Sequence, residues 1–269
     1  MPTISSTAQR NRRRVNSEGP IGVFDSGAGG LSVLRALMDE LPAEDFVYFG
    51  DSANTPYGEK PLEWVRARSV ELAEHLLSQQ AKAIVVACNT ATSAAAEILR
   101  QRYRDVPVIG VEPALKPAAL AYPGGRILVM ATPMTLHLEK FQHLADQWAS
   151  GCTVYPVACE GLAARVEKGD FDAPDMAELL EQLVGEFRGR IDCAVLGCTH
   201  YPFVADQIRA VLGDVELFDG ARGTARQVRR MVERAGLLTS SEAAGSAHLE
   251  TSSADPGELD LYRQLLRVR

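Results

Sequence analysis

The sequence is poor in several things, and each shortage removes a class of function. No apolar run approaches the roughly 20 residues that a membrane-spanning helix needs, so no membrane segment is expected. Lysine and arginine number 28 against 35 aspartate and glutamate, a net charge of −7. That balance lacks the basic field of a nucleic-acid or membrane-surface binder. The first nineteen residues hold Arg10, Arg12, Arg13 and Arg14. With no apolar stretch beside them they are no secretory signal, and residues 1–19 are expected to form a disordered basic tail. The five cysteines include no Cys-x-x-Cys pair, which argues against a disulfide oxidoreductase and against structural zinc. Their odd number suggests no disulfide framework and points to a reducing, cytoplasmic location. Neither a Gly-Lys-Ser/Thr phosphate loop nor the Gly-x-Gly-x-x-Gly spacing of dinucleotide sites occurs.

What is present is a strand-to-turn design used twice. Ile84 to Thr90 (Ile-Val-Val-Ala-Cys-Asn-Thr) runs from apolar, β-branched residues straight into a polar cluster with a thiol. Such a run reads as a strand buried on both faces, and Ala94 to Arg104 reads as the helix that follows. Ala194 to Tyr201 repeats the arrangement, with Cys198 at the turn. In an open α/β sheet the residues just past a strand's carboxyl end line the ligand crevice. Further strands are expected at Ile21 to Phe24, Phe46 to Phe49 and Val106 to Val111, with a long helix from Pro61 to about Gln79. Strands alternating with helices mean parallel sheets covered on both sides.

The pattern then restarts. Ile127 stands 106 residues after Ile21, Val154 stands 107 after Val47, Cys198 stands 110 after Cys88, and Asp214 stands 109 after Asp105. Four correspondences at nearly one offset predict two similar doubly wound α/β domains, related by pseudo-symmetry, with a ligand cleft between them. The expected first domain is 20–115 with 222–269, and the second is 116–221. Residues 238–245 read as a linker, 248–251 as a short strand, and Leu259, Leu261, Leu265 and Leu266 as the apolar face of a last helix that packs back on the first half.

Cys152, Cys159 and Cys193 read as small buried hydrophobes, the commonest role of a free cysteine. Cys88 and Cys198 differ, because Asn89-Thr90 and Thr199-His200 follow them at once. Several readings of this pair compete. Both can be core residues. Cys193, Cys198 and His200 can be forced into a metal set, but without the close ligand pairing such sites use. A cysteine hydrolase leaves the second thiol idle, and a two-lobed carboxylate sensor gives neither thiol a reason. Two thiols facing a cleft from opposite sides suit the inversion of a carbon centre: one takes a proton from one face and the other returns one. Ser26, Asn89, Thr90, Thr132, Thr135 and Thr199, with the Gly-rich turn Asp25 to Gly30, would hold a compact anionic ligand. Asp25 either caps that turn or faces the site. His200 either satisfies a local hydrogen bond or tunes Cys198.

Four segments together resemble the glutamate racemases of the aspartate/glutamate racemase family: Phe24-Asp-Ser-Gly-Ala-Gly-Gly-Leu-Ser32, Pro56-Tyr57-Gly58, Ala87-Cys-Asn-Thr-Ala91 and Leu196-Gly-Cys-Thr-His-Tyr-Pro202. The resemblance runs from about Ile21 to Leu266. It implies two α/β domains with the active site between them, frequent homodimers, and interconversion of L- and D-glutamate without cofactor or metal, supplying D-glutamate for peptidoglycan. It further implies Cys88 as the base for D-glutamate and Cys198 as the base for L-glutamate, assisted by Asp25 and His200. Substrate contacts are implied for Asp25, Ser26, Tyr57, Gly58, Asn89, Thr90, Thr199 and His200. Thr132 and Thr135 match a Gly-Thr-x-x-Thr segment in which this chain has Ala131 for the glycine. Glu167 matches the family's acidic assistant, although Cys159-Glu160 stands where the family commonly has Cys-Pro.

Overall fold

The computed structural model describes residues 15–267. Nine strands are placed: β1 Ile21–Asp25, β2 Phe46–Gly50, β3 Ala83–Val86, β4 Val108–Gly110, β5 Arg126–Ala131, β6 Thr153–Ala158, β7 Cys193–Leu196, β8 Glu216–Asp219 and β9 Ala247–Thr251. The first half carries helices α1 Leu31–Glu40, α2 Leu62–Ser78 and α3 Asn89–Arg102. Then come α4 Leu115–Ala121, α5 Pro133–His137, α6 Glu139–Trp148, α7 Leu162–Val166, α8 Pro174–Val184, α9 Ala205–Leu212, α10 Ala221–Arg234 and α11 Glu258–Arg267.

The strands form two sheets, β4-β3-β1-β2-β9 and β6-β5-β7-β8, and every pairing is parallel. Counted from its own first strand, each sheet has the order fourth, third, first, second; β9 is added at the edge of the first. The sequence echo is therefore a repeat of topology. β3 and β7 are buried along their whole length, which is why each reads as an unbroken apolar run. They pair with β1 and β5 in matching registers, Ile21 to Ala83 and Ile127 to Cys193. Cys88 and Cys198 each lie two residues past the end of these sister strands.

The C-terminal segment returns to the first sheet. α10 lays Val228 and Val232 into the same core as Val33 and Leu37 of α1, β9 pairs with β2, and α11 packs on α1 and β9.

Three expectations shift. The basic residues Arg10 to Arg14 lie outside the described residues. Residues 15–19, expected to continue the tail, are instead packed: the Ser17 carbonyl accepts a 2.5 Å hydrogen bond from Lys82 Nζ, and Glu18 accepts from Thr239 Oγ1 at 2.9 Å. Buried Lys82 in turn pairs with buried Glu44, whose Oε1 accepts from Thr239 N at 2.9 Å. This charge needs local partners, and the chain on either side supplies them. Next, α3 begins at Asn89, not Ala94, with Cys88 as its N-cap. Asn89 and Thr90 thus stand in the first turn of a helix rather than in a loop. Last, the expected strand Val106 to Val111 shortens to Val108–Gly110.

Candidate active site

The site is built at the carboxyl ends of β1, β3, β5 and β7. Asp25 ends β1, and its Oδ2 accepts from Gly30 N at 2.7 Å and Gly27 N at 3.4 Å, closing the glycine-rich turn. Its other oxygen, Oδ1, is buried without a partner, as is Asn89 Oδ1 at the start of α3. A ligand or an ordered water can donate to both of these buried acceptors. Burial pushes the Asp25 carboxyl above its usual range, opposed by the charge of His200. Asp25 therefore caps its turn with one oxygen, the first of the two roles open from sequence, while Oδ1 has no hydrogen-bond partner.

Cys88 is 5% exposed, and its Sγ lies 3.7 Å from Ser26 Oγ. Burial, then the negative charge of Asp25, raise its thiol well above the ordinary value of 9.0. Cys198, 7% exposed, has quite different company. Its Sγ stands 3.5 Å from His200 Nδ1, and His200 Nε2 stands 2.5 Å from Glu167 Oε1. Desolvation lowers the proton affinity of His200, but the hydrogen bonds to Cys198 and Glu167 outweigh it and raise the imidazole well above 6.5. The shift favours the protonated ring, in which one N–H faces the sulfur and the other the carboxylate. One thiol lies in the field of Asp25 and the other against an imidazole backed by Glu167. That asymmetry is not visible in the two matching motifs.

Glu167 follows α7 in the second lobe, yet its Oε1 also accepts from Ala28 N at 2.8 Å, 139 residues away. This close crossing explains two glycines. A Cβ on Gly27 would stand 1.9 Å from Glu167 Oε1, and one on Gly29 would stand 2.4 Å from His200 Nδ1. Real Cβ atoms do not approach so near, so the turn is glycine-rich because the second lobe is pressed against it.

Other bonds cross the same cleft. Thr90 Oγ1 and Thr132 Oγ1 are 2.9 Å apart, and Thr132 is tied within its own half to Thr135 Oγ1 at 3.0 Å. Ser32 Oγ, at the start of α1, donates to Thr199 O at 3.0 Å. Gly58 packs against the Thr132 side chain. The Tyr57 hydroxyl points away from this cluster and donates to Asp51 at 2.6 Å. Asp51 also takes two bonds from Arg68, at 2.8 and 2.9 Å, fixing the Pro56-Tyr57-Gly58 segment. Gly58, Thr90, Thr132, Glu167 and Thr199 thus make contacts between the two halves, with Ser26 bonded to Cys88 and His200 to Cys198 beside them, while the Tyr57 side chain is directed to Asp51.

Asp51, Arg68, Ser32 and Tyr48 were missed by sequence reasoning. Only Tyr48 carried a usable signal: a tyrosine inside the apolar strand Phe-Val-Tyr-Phe must find a partner for its hydroxyl. All five cysteines are free. Among the described residues no three His, Cys, Asp or Glu side chains are grouped to hold a metal ion, and no helix is long and apolar enough to cross a membrane.

The family described as Asp/Glu/Hydantoin racemase matches residues 21–228. The chain is 44% identical over 252 residues to the glutamate racemase of Clostridium perfringens, covering 93% of this chain and 97% of that one. Among solved structures, the glutamate racemase of Francisella tularensis in complex with D-glutamate superposes with a TM-score of 0.81 at 27% identity, covering 94% of this chain and 95% of that one. The glutamate racemase of Thermus thermophilus in complex with beta-chloro-D-alanine gives 0.77 at 38% identity, covering 93% and 94%. With the same fold, and relatives of this closeness along nearly its whole length, the chain belongs to the Asp/Glu/hydantoin racemase family and, within it, to the glutamate racemases.

Proposed function

We propose that this enzyme inverts glutamate by passing a proton between two opposed thiols, with Cys198 the base toward L-glutamate and Cys88 the base toward D-glutamate. The observation that carries the reading is the matched placement of both sulfurs past sister strands, in opposite electrostatic settings. Starting from L-glutamate, the Cys198 thiolate takes the Cα proton and becomes a thiol, while the Cys88 thiol gives its proton to the opposite face and becomes a thiolate. His200, held by Glu167, balances charge at the first sulfur. Each turnover leaves the protonation pattern reversed, ready for the other enantiomer.

Cys88 is raised by burial and by Asp25, so it is the natural proton donor in the free enzyme. A substrate ammonium group set against Asp25 Oδ1 and Asn89 Oδ1 would satisfy both acceptors. It would also supply the positive charge that a Cys88 thiolate lacks. The first-turn amides of α3 and the hydroxyls of Thr90, Thr132 and Thr135 suit carboxylate oxygens. The binding of D-glutamate by the Francisella relative supports that ligand class.

The same proposal includes two lobes, 20–115 with 222–269 and 116–221, a homodimer in the cytoplasm, no cofactor, and supply of D-glutamate for peptidoglycan. These rest on the family likeness, and the location also on the free thiols.

The test is to incubate the enzyme with L-glutamate in deuterated water without pyridoxal phosphate or metal. D-glutamate carrying deuterium at Cα is expected. Cys88→Ser and Cys198→Ser should each lose racemisation while keeping Cα exchange with one enantiomer only, a different one for each variant. Absence of inversion in the parent, or identical loss of every partial reaction in both variants, would refute the two-base scheme.

A further inference from the structure

Tyr48, in the middle of β2, is fully buried and makes no hydrogen bond to either thiol. Its hydroxyl donates to Gly27 O at 2.5 Å. That carbonyl and the N–H of Ala28 are the two ends of one peptide group, and the Ala28 N–H is the donor to Glu167 Oε1 at 2.8 Å. Glu167 Oε1 in turn lies 2.5 Å from His200 Nε2, whose ring faces Cys198 Sγ at 3.5 Å through Nδ1. A line of hydrogen bonds thus runs from a tyrosine of the first lobe, through one peptide unit, to the thiol of the second.

We infer that Tyr48 is a positioning residue for the Cys198 arm of the reaction: its hydroxyl fixes the Gly27–Ala28 peptide plane, and that plane aims the Glu167 carboxylate at His200. The inference rests on the two-thiol reading above. A peptide whose carbonyl accepts a bond is a better donor at its N–H, so the chain is mutually reinforcing. It is also directional. The Cys88 arm, with Asp25 and Ser26, is attached to the same turn through separate bonds, from Gly30 N to Asp25 and between Ser26 and Cys88. Burial and the nearby Asp25 charge hold the Tyr48 phenol well above 10.0, so it stays protonated and can only serve as a donor to Gly27 O.

A neighbouring tyrosine provides the control. Tyr262 of α11 is equally buried, and its ring meets that of Tyr48 edge to face at 5.7 Å. Its hydroxyl pairs with Ser52 Oγ at 2.7 Å and makes no hydrogen bond to Gly27 O or Glu167. Both hydroxyls feel the Glu167 charge, but only that of Tyr48 bonds the peptide that holds Glu167.

The titrating groups around His200 are Cys198 on its own turn, Glu167 after α7, and Asp25 at the end of β1. Those around Tyr48 are Asp25, Tyr262, Glu167 and Cys88. Glu167 keeps His200 protonated, so loosening Glu167 lowers the imidazole. The alkaline limb of kcat/KM then moves to lower pH. Because the two enantiomers have equal energies, kcat/KM must fall by the same factor in both directions.

Tyr48→Phe and Tyr262→Phe should be assayed for glutamate racemisation in both directions across pH, with thermal melting of each. Tyr48→Phe is expected to lose about tenfold in kcat/KM, the usual consequence of one hydrogen bond to the machinery. Its alkaline limb should move down, while Tyr262→Phe stays within about twofold with an unmoved limb. Equal losses in the two variants, or an unmoved limb in Tyr48→Phe, overturn the inference. If Tyr48→Phe does not fold, 3-fluorotyrosine at position 48 keeps the ring and strengthens the donor. It should move the limb to higher pH, and an unmoved limb again overturns the inference. A parent without racemase activity would sink the two-thiol reading itself, whereas an active parent with indifferent variants sinks only the role of Tyr48.

Discussion

Gly27→Ala perturbs the Glu167–His200 pair without altering either residue. The added methyl would sit 1.9 Å from Glu167 Oε1 and 2.8 Å from its Cδ. The turn cannot simply recede, because Tyr48 holds Gly27 O and Asp25 holds Gly30 N. The carboxylate, at the far end of a flexible side chain, is what gives way. In leaving, Oε1 abandons two hydrogen bonds, the one from Ala28 N at 2.8 Å and the one to His200 at 2.5 Å. Hydrogen bonds to charged groups contribute roughly 1.5–3 kcal/mol each, and part of that is recovered by solvation of a carboxylate that swings outward. A net loss of about 3 kcal/mol corresponds to roughly 100-fold in kcat/KM. The assay is the optical rotation or circular dichroism of glutamate in both directions. A double-mutant cycle with Glu167→Ala sharpens it: both single changes remove the same contact, so the double variant should be little worse than either alone. Parent-like activity in Gly27→Ala, or losses that add in the double variant, would show that Glu167 does not act through its contact with this turn.

Two predictions concern stability. Lys82→Met leaves Glu44 charged, buried and without its cation, and should cost roughly 3–5 kcal/mol in chemical denaturation; adding Glu44→Leu should recover most of the loss, and failure to recover would mean that the pair is not the cause. Gly223→Ala, in α10 with nothing within 4 Å of the new Cβ, should stabilise by about 0.5–1 kcal/mol and leave kcat/KM unchanged. A lowered melting temperature would refute it.

The helix start at Asn89 shows how far local reasoning reaches. Thr90 and Thr92 are poor helix formers by propensity, which favours a start at Ala94. In the fold, Thr92 Oγ1 donates to Val86 O at 3.1 Å and Thr90 reaches Thr132 across the cleft, so the first turn is filled by residues serving other elements. Tertiary contacts override a weak intrinsic preference. The short β4 is the part of the run Val106 to Val111 in register with β3: Val108, Ile109 and Gly110 stand opposite Ile84, Val85 and Val86, while Pro107 and Val111 each add one flanking backbone bond.

By itself the sequence determined the parallel strands, their repetition, the two thiols at matched strand ends, and the family likeness. Each is written in local periodicity or in a contiguous motif, and buried parallel strands cannot hide an apolar run. The tertiary structure alone decided that Cys88 lies in the field of Asp25 and Cys198 against the His200 ring, that Gly27 yields room to Glu167, and that Tyr48 stands behind the peptide between them. Those facts depend on contacts such as Ala28 to Glu167 and Ser32 to Thr199, 139 and 167 residues apart. No periodicity encodes such pairs; they exist only once two separately legible halves have closed on each other.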